Sequence, residues 1–216
     1  MGENQIFGLG GKELDGLDSL FSLRLAGNRI STLNGSVFAK ISTVQVLNLA
    51  HNQLATLQQD TFVSLRKMQA LRLDSNQLTD INGLLTAQNE LRWLNVSANK
   101  LQWFDYAFIP KNLEWIDLHL NQVEEIGNYY QLKDGFNLKT LDVSFNKIKK
   151  LSSSSFLTSL ENIYLNNNQI EEIPANTFLQ MDSLSRVELV QNNLITLQLA
   201  AFALKPRQES GNLQLS

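Results

Sequence analysis

Cysteine is absent from all 216 residues, so the chain holds no disulfide, no thiolate metal site and no cysteine nucleophile. That absence leaves the compartment open, because a cysteine-free stretch folds in any redox environment. Charge of one sign is not in excess either: 18 basic against 21 acidic residues give a net charge of −3. Such a balance provides no basic footprint for nucleic acid or an anionic membrane. No apolar run reaches the roughly 18 residues that a membrane span requires. The opening Met1-Gly2-Glu3-Asn4 has neither the basic flank nor the apolar stretch of a secretory leader. If the parent protein is anchored in a membrane, the anchor is expected outside this segment.

What the chain has is repetition. The pattern L-x-x-L-x-L-x-x-N-x-L, with Ile, Val or Met in place of Leu, recurs eight times. The first copy uses Leu20, Leu23, Leu25, Asn28 and Ile30, and the second Val44, Leu47, Leu49, Asn52 and Leu54. The others centre on Asn76, Asn99, Asn121, Asn146, Asn168 and Asn192. Successive asparagines stand 22 to 25 residues apart, the period of leucine-rich repeats. Ten residues beyond the asparagine stands a phenylalanine in five repeats: Phe38, Phe62, Phe156, Phe178 and Phe202. The fourth repeat shifts it to Phe108. Rings at a constant offset predict a stacked spine on the convex side.

In L-x-L the two leucines face one way and their neighbours the other, which is the period of a strand. One strand per repeat, always entering from the same side, predicts a parallel sheet. After each strand the chain must leave the sheet and expose backbone donors and acceptors to the interior. Asparagine offers both a carbonyl and an amide on a short side chain, so the eight asparagines are expected to form a structural ladder. No stretch carries a sustained 3.6-residue stripe, and the convex returns are expected to be irregular with short 3₁₀ turns. The fold class is thus an α/β leucine-rich-repeat solenoid, a horseshoe arc with its parallel sheet on the concave side.

The chain reads as one array over residues 1–216, with a partial repeat at 1–19, eight repeats over about 20–212 and the start of another at 213–216. Asn4 lies 24 residues before Asn28, and Leu14 stands ten beyond Asn4. Natural arrays end in capping units, so the expectation is an uncapped, excised segment. Fraying of residues 1–13 and 204–216, or end-to-end association through unpaired strand edges, would follow; concentration-dependent light scattering tests it.

Parity assigns the outward side chains of each strand. They are Ser22, Arg24, Ala26; Val46, Asn48, Ala50; Ala70, Arg72, Asp74; and Trp93, Asn95, Ser97. The later strands give Trp115, Asp117, His119; Thr140, Asp142, Ser144; Asn162, Tyr164, Asn166; and Arg186, Glu188, Val190. Positive charge sits early and negative charge late. The face is expected to bind a partner through Trp93, Trp115, Asp117, His119, Asp142 and Tyr164. Trp93 and Trp115 share a column and form a candidate anchor, or else simply cover each other. Asp117 and Asp142 also share one, which predicts a raised pKa or a recruited cation.

His119 with Ser97 or Ser144 permits a hydrolytic constellation on paper. An open sheet supplies no cleft or oxyanion hole for it, so no catalytic residue and no enzyme is expected. His51, in a turn beside Asn52, has no evident partner. Gly8-Leu9-Gly10-Gly11 is not a phosphate loop, since no strand leads in and no lysine follows. No cofactor or metal is expected. Two N-x-S sequons, at Asn34 and Asn95, are candidate glycosylation sites, and a glycan on Asn95 would stand on the sheet itself.

Residues 91–151 go beyond generic repeat spacing. Their segments LNVSAN, WFDYAFIP, NLEWIDLH and the enlarged repeat carrying GNYYQL resemble the membrane-proximal ectodomain of insect Toll receptors. The long-ectodomain group related to 18-wheeler is the most similar. Residues 152–203, with PANTFLQMDSLSRVEL, continue in that vein, while 1–90 match only as ordinary repeats. The resemblance implies a single-pass cell-surface receptor acting in innate immunity or developmental signalling, with this segment on the extracellular side. It implies a Spätzle-type cystine-knot ligand or another cell-surface protein as partner, with a homodimer possible and no nucleic acid. A non-signalling adhesion or matrix protein is the alternative. The cysteine-rich caps, the span and the signalling domain of that family are not in this sequence.

Overall fold

The computed structural model describes residues 1–132, 134–197, 199–202 and 214–215. The chain forms two compact units: Met1–Leu101 with Phe108–Leu113, and Gln102–Ala107 with Glu114–Ser216. Each is a stack of parallel strands joined by turns, a parallel β-solenoid with almost no helix among the described residues.

In the first unit the strands Ser22–Arg24, Val46–Asn48, Ala70–Arg72 and Trp93–Asn95 lie side by side in one parallel sheet. Their register runs Leu23↔Leu47↔Leu71↔Leu94, so the inward leucine of each repeat sits on that of the next. All four are buried, and their continuous apolar column is the core. In the second unit Trp115–Asp117, Thr140–Asp142, Asn162–Tyr164, Arg186–Glu188 and Gln214–Leu215 repeat this arrangement, with Ile116↔Leu141↔Ile163↔Val187 inward. The strand expected at 213–215 is seen at Gln214–Leu215. Of the stretch 204–216 where fraying was expected, residues 204–213 and 216 lie outside the described residues. Two-residue strand pairs line the returns, and two 3₁₀ turns, Tyr106–Phe108 and Leu199–Phe202, are the only helical elements among the described residues.

The ladder asparagines close the turns in the same way wherever both partners are described. Asn76 Nδ2 donates to Leu73 O and Leu49 O, each at 3.0 Å, and its Oδ1 accepts from Leu54 N at 3.0 Å. Asn146 in the second unit donates to Val143 O and Leu118 O at 3.0 Å and accepts from Val123 N at 2.9 Å. One short side chain thus ties its own turn to the preceding repeat through three bonds. Asn28, Asn52, Asn99, Asn168 and Asn192 do likewise. Asn121 donates to Leu118 O at 2.9 Å.

The residue before each ladder asparagine adopts a left-handed backbone: Gly27, His51, Ser75, Ala98, Leu120, Phe145, Asn167 and Gln191, with φ between 50° and 68°. That conformation turns the N–H toward the next repeat, as in His51 N to Asp74 O at 2.9 Å and Phe145 N to Asn166 O at 2.8 Å. Its side chain is left on the outside.

The ring spine is present in each unit. Phe38 stacks on Phe62 at 5.9 Å, and Phe178 lies between Phe156 at 5.6 Å and Phe202 at 5.2 Å. Phe108 is only half-buried. The fully buried aromatic near that position is Tyr106, whose hydroxyl donates to Ser155 O at 2.9 Å. Burial pushes its phenol far above the ordinary tyrosine value.

Candidate functional site

The chemistry concentrates on the sheet face of the second unit. Strand register places Asp117, Asp142, Tyr164 and Glu188 in one row across four strands. His119, Ser144, Asn166 and Val190 form the next row at the strand ends, and Phe145, Asn167 and Gln191 the left-handed row beyond. Together these three rows line one open pocket.

Local hydrogen bonds fix the two aspartates. Asp117 Oδ1 accepts from His119 N at 2.9 Å and lies 2.6 Å from His119 Nδ1. Asp142 Oδ1 accepts from Ser144 N at 2.9 Å. The first unit has the same turn with amides: Asn48 accepts from Ala50 N, and Asn95 from Ser97 N. This is an Asx turn, in which a short side chain satisfies a backbone donor two residues on.

The turn corrects the parity reading at its third position. Ala26, Ala50, Asp74, Ser97 and Ser144 were expected to face outward, but they are buried. Their strands are ending there, and at Ala50, Ser97 and Ser144 the middle-row side chain folds back over the strand end, as it also does at the half-buried His119. Asp74 is held by Arg72 through two bonds of 2.8 Å. Asp117 is itself only 6% exposed.

Burial pushes the Asp117 carboxyl above its ordinary value. Hydrogen bonds and charge from His119 oppose that shift, and the Asp142 carboxylate adds a smaller upward push. The sequence pointed to the paired carboxylates as the cause; desolvation is the larger one.

Trp115 is half-buried at the start of its strand, in register with Thr140. Trp93 is half-buried in the first unit, in register with Ala70. Among the described residues Ser144 makes no hydrogen bond to His119, so no base-activated hydroxyl is present there. His51 is exposed in its left-handed turn. The two sequons share one geometry: Asn34 Oδ1 accepts from Ser36 Oγ at 2.8 Å, and Asn95 Oδ1 from Ser97 Oγ at 2.6 Å. Asn34 is exposed, whereas Asn95 is half-buried beside a buried Ser97.

Sequence reasoning missed two sets of surface groups. Leu120 and Phe145 are each 50% exposed, bulky apolar side chains in the left-handed row. Their place immediately before a ladder asparagine was the available signal. Tyr129 and Tyr130 are 84% and 69% exposed, with rings edge to face at 5.1 Å. Their loop is pinned by Asn128, which bonds Leu132 and Ser154, and by Tyr129 N donating to Asp105. Both tyrosines lie in the GNYYQL segment.

Comparison with known families matches the leucine rich repeat family over residues 18–78, 42–101 and 136–195, with the aliphatic, asparagine and turn positions described above. The chain belongs to that family. Toll-like receptor 7 of Drosophila melanogaster is 40% identical over 127 residues, which is 59% of this chain and 9% of the receptor. This leucine-rich-repeat chain therefore spans about a tenth of that relative or less. The likeness to Toll receptors read from the sequence is thus borne out over part of the chain. Among solved structures, the LRIM1/APL1C complex matches with a TM-score of 0.78 and 25% identity, over 95% of this chain and 37% of that one. The Drosophila Toll–Spatzle complex matches with a TM-score of 0.75 and 19% identity, over 94% and 31%. At that identity the Toll–Spatzle match speaks for the fold alone. No helix among the described residues is long and apolar enough to cross a membrane.

Proposed function

We propose that this chain is a partner-binding segment of a Toll-type cell-surface receptor ectodomain, working on the extracellular side through the sheet face of its second unit. The observation that carries this reading is the pocket where Asp117, His119, Asp142 and Glu188 meet the exposed Phe145 and Val190 and the half-buried Tyr164. A polar centre beside aromatic and aliphatic groups is the composition of a protein interface, and aromatics there carry most of the binding energy. Trp115 extends the face, and Trp93 offers an anchor on the first unit. The 40% identity to Toll-like receptor 7 supports the receptor class.

The partner is a protein of the Spätzle cystine-knot type or another cell-surface protein, presenting basic side chains to the carboxylates. A phosphate backbone would be repelled there, since no Lys or Arg lines the pocket. Binding is by surface complementarity without turnover. Exposed Asn34 is the glycan-bearing sequon; Asn95, on the sheet, keeps its amide in the turn with Ser97. A non-signalling adhesion or matrix protein is the second reading.

Surface plasmon resonance of the chain against Spätzle-type cystine-knot proteins, cell-surface leucine-rich-repeat proteins and a single-stranded RNA tests the reading. Saturable protein binding weakened at least tenfold by Phe145→Ala supports it. Binding to RNA alone, or protein binding indifferent to Phe145→Ala, overturns it.

A further inference from the structure

Within the pocket proposed above as a partner surface, the second unit carries a group of side chains whose donor chemistry asks for an ion. Asp117, His119 and Asp142 each offer one ligand atom, and these atoms lie within 4.8 Å of one another. We propose that these three residues form a binding site for a divalent transition-metal ion of the zinc class.

The donor set selects the class. A histidine nitrogen with two carboxylate oxygens suits zinc and its neighbours, whereas calcium and magnesium take oxygen only. Ligand bonds of about 2.0–2.2 Å place the donors of a tetrahedral ion roughly 3.4 Å apart. Donors at the 4.8 Å limit close by about 1.4 Å, and the hydrogen-bonded Asp117–His119 pair at 2.6 Å opens by about 0.8 Å, both within reach of side-chain rotation. Three protein ligands leave one tetrahedral position for water.

Burial and charge point the same way. Asp117 is more than nine-tenths buried and lines the pocket, yet only its Oδ1 has a partner, His119; among the described residues its second oxygen accepts no hydrogen bond. Asp142 likewise commits one oxygen, to Ser144 N. Glu188 at the far end has Arg186 at 4.0 Å, but no Lys or Arg lines the pocket beside the two aspartates. A buried carboxylate next to a second one, with a single imidazole as the nearest counter-group, is stabilised by a cation. The strand register holds the set in place, since Asp117 and Asp142 are paired across the sheet and His119 is two residues on.

The chain has two histidines, which makes the test sharp. The 216-residue chain, stripped by a chelator, is titrated with Zn²⁺ by calorimetry while both imidazoles are followed by ¹H–¹⁵N correlation spectra. The expected result is one saturable site, with the His119 resonances shifting and those of His51 unmoved. Asp142→Asn and His119→Gln each weaken binding at least tenfold, and His51→Gln leaves it unchanged. Asp142→Asn keeps its turn, because Asn48 and Asn95 accept the same bond in the first unit; circular dichroism confirms the fold of each variant. Absence of saturable binding, a shift at His51, or binding indifferent to both His119→Gln and Asp142→Asn overturns the proposal. None of these readouts involves a protein partner, so this site and the interface fail separately.

Discussion

The two units share a backbone plan and differ in what they display. In the first, the middle row of the sheet reads Arg24, Asn48, Arg72 and Asn95; in the second it reads Asp117, Asp142, Tyr164 and Glu188. The inward leucines, the ladder asparagines and the left-handed row are equivalent in both. The difference teaches that the repeat fixes the scaffold while leaving one row of side chains per strand free to vary. In the first unit charge is cancelled locally, Arg72 by the buried Asp74 beneath it. In the second, two neighbouring carboxylates have one histidine within 4.8 Å and an apolar rim, an arrangement that costs stability and so points to use.

The largest effect should be the same in both units. Asn76→Ala and Asn146→Ala each remove four bonds and leave one buried backbone donor, Leu54 N or Val123 N, without its acceptor, while the carbonyls keep a neighbouring ladder asparagine. The orphaned donor costs about 1–3 kcal/mol and each other lost bond about 1 kcal/mol or less, so a loss of roughly 3 kcal/mol is expected by chemical denaturation. A tolerated change in either unit would end the equivalence.

Next comes the spine, where the units diverge. Phe178 is stacked on both sides, and Phe178→Ala should cost about 3–5 kcal/mol, the usual figure for a buried ring. Among the described residues Phe62 stacks on Phe38 alone, and Gln88 caps its carbonyl at 2.7 Å. Gln88→Ala should therefore cost less, about 1–3 kcal/mol. Thermal melts of the two variants rank them.

The smallest effects sharpen the comparison of the left-handed rows. Gly27→Ala forces a side chain to φ 68° with its Cβ 3.1 Å from Glu3, and should destabilise by about 1–2 kcal/mol. Phe145→Asn replaces a bulky residue at φ 55° with one that accepts that region, and should stabilise by up to about 1 kcal/mol. The same change should weaken partner binding, the trade expected where a strained residue is kept for contact. Calorimetric melting of Phe145→Asn checks the first half, and a binding assay the second.

Much of this was legible in the sequence. The L-x-L parity assigned Asp117, Asp142 and Tyr164 to one row, and the register agrees. The asparagine spacing located every turn. Three features were not legible, each for a physical reason. Burial of Ser97 and Ser144 depends on a neighbouring side chain folding back over the strand end, a competition that period alone does not encode. The left-handed backbone at Leu120 and Phe145 runs against the preference of those residues; in that row Gly27 and Asn167 announce themselves by type. The exposed Tyr129 and Tyr130 sit in an enlarged repeat, where Asn128 and Asp105 bind a loop that no periodicity describes.

The central claim is that a protein partner meets the sheet face of the second unit. Hydrogen exchange read by mass spectrometry, on the chain with and without a Spätzle-type cystine-knot protein, tests it most directly. The account predicts added protection in peptides covering 115–119, 140–146, 162–167 and 186–191, with the loop around Tyr129 unchanged. Protection confined to that loop, or to the first unit, would contradict it.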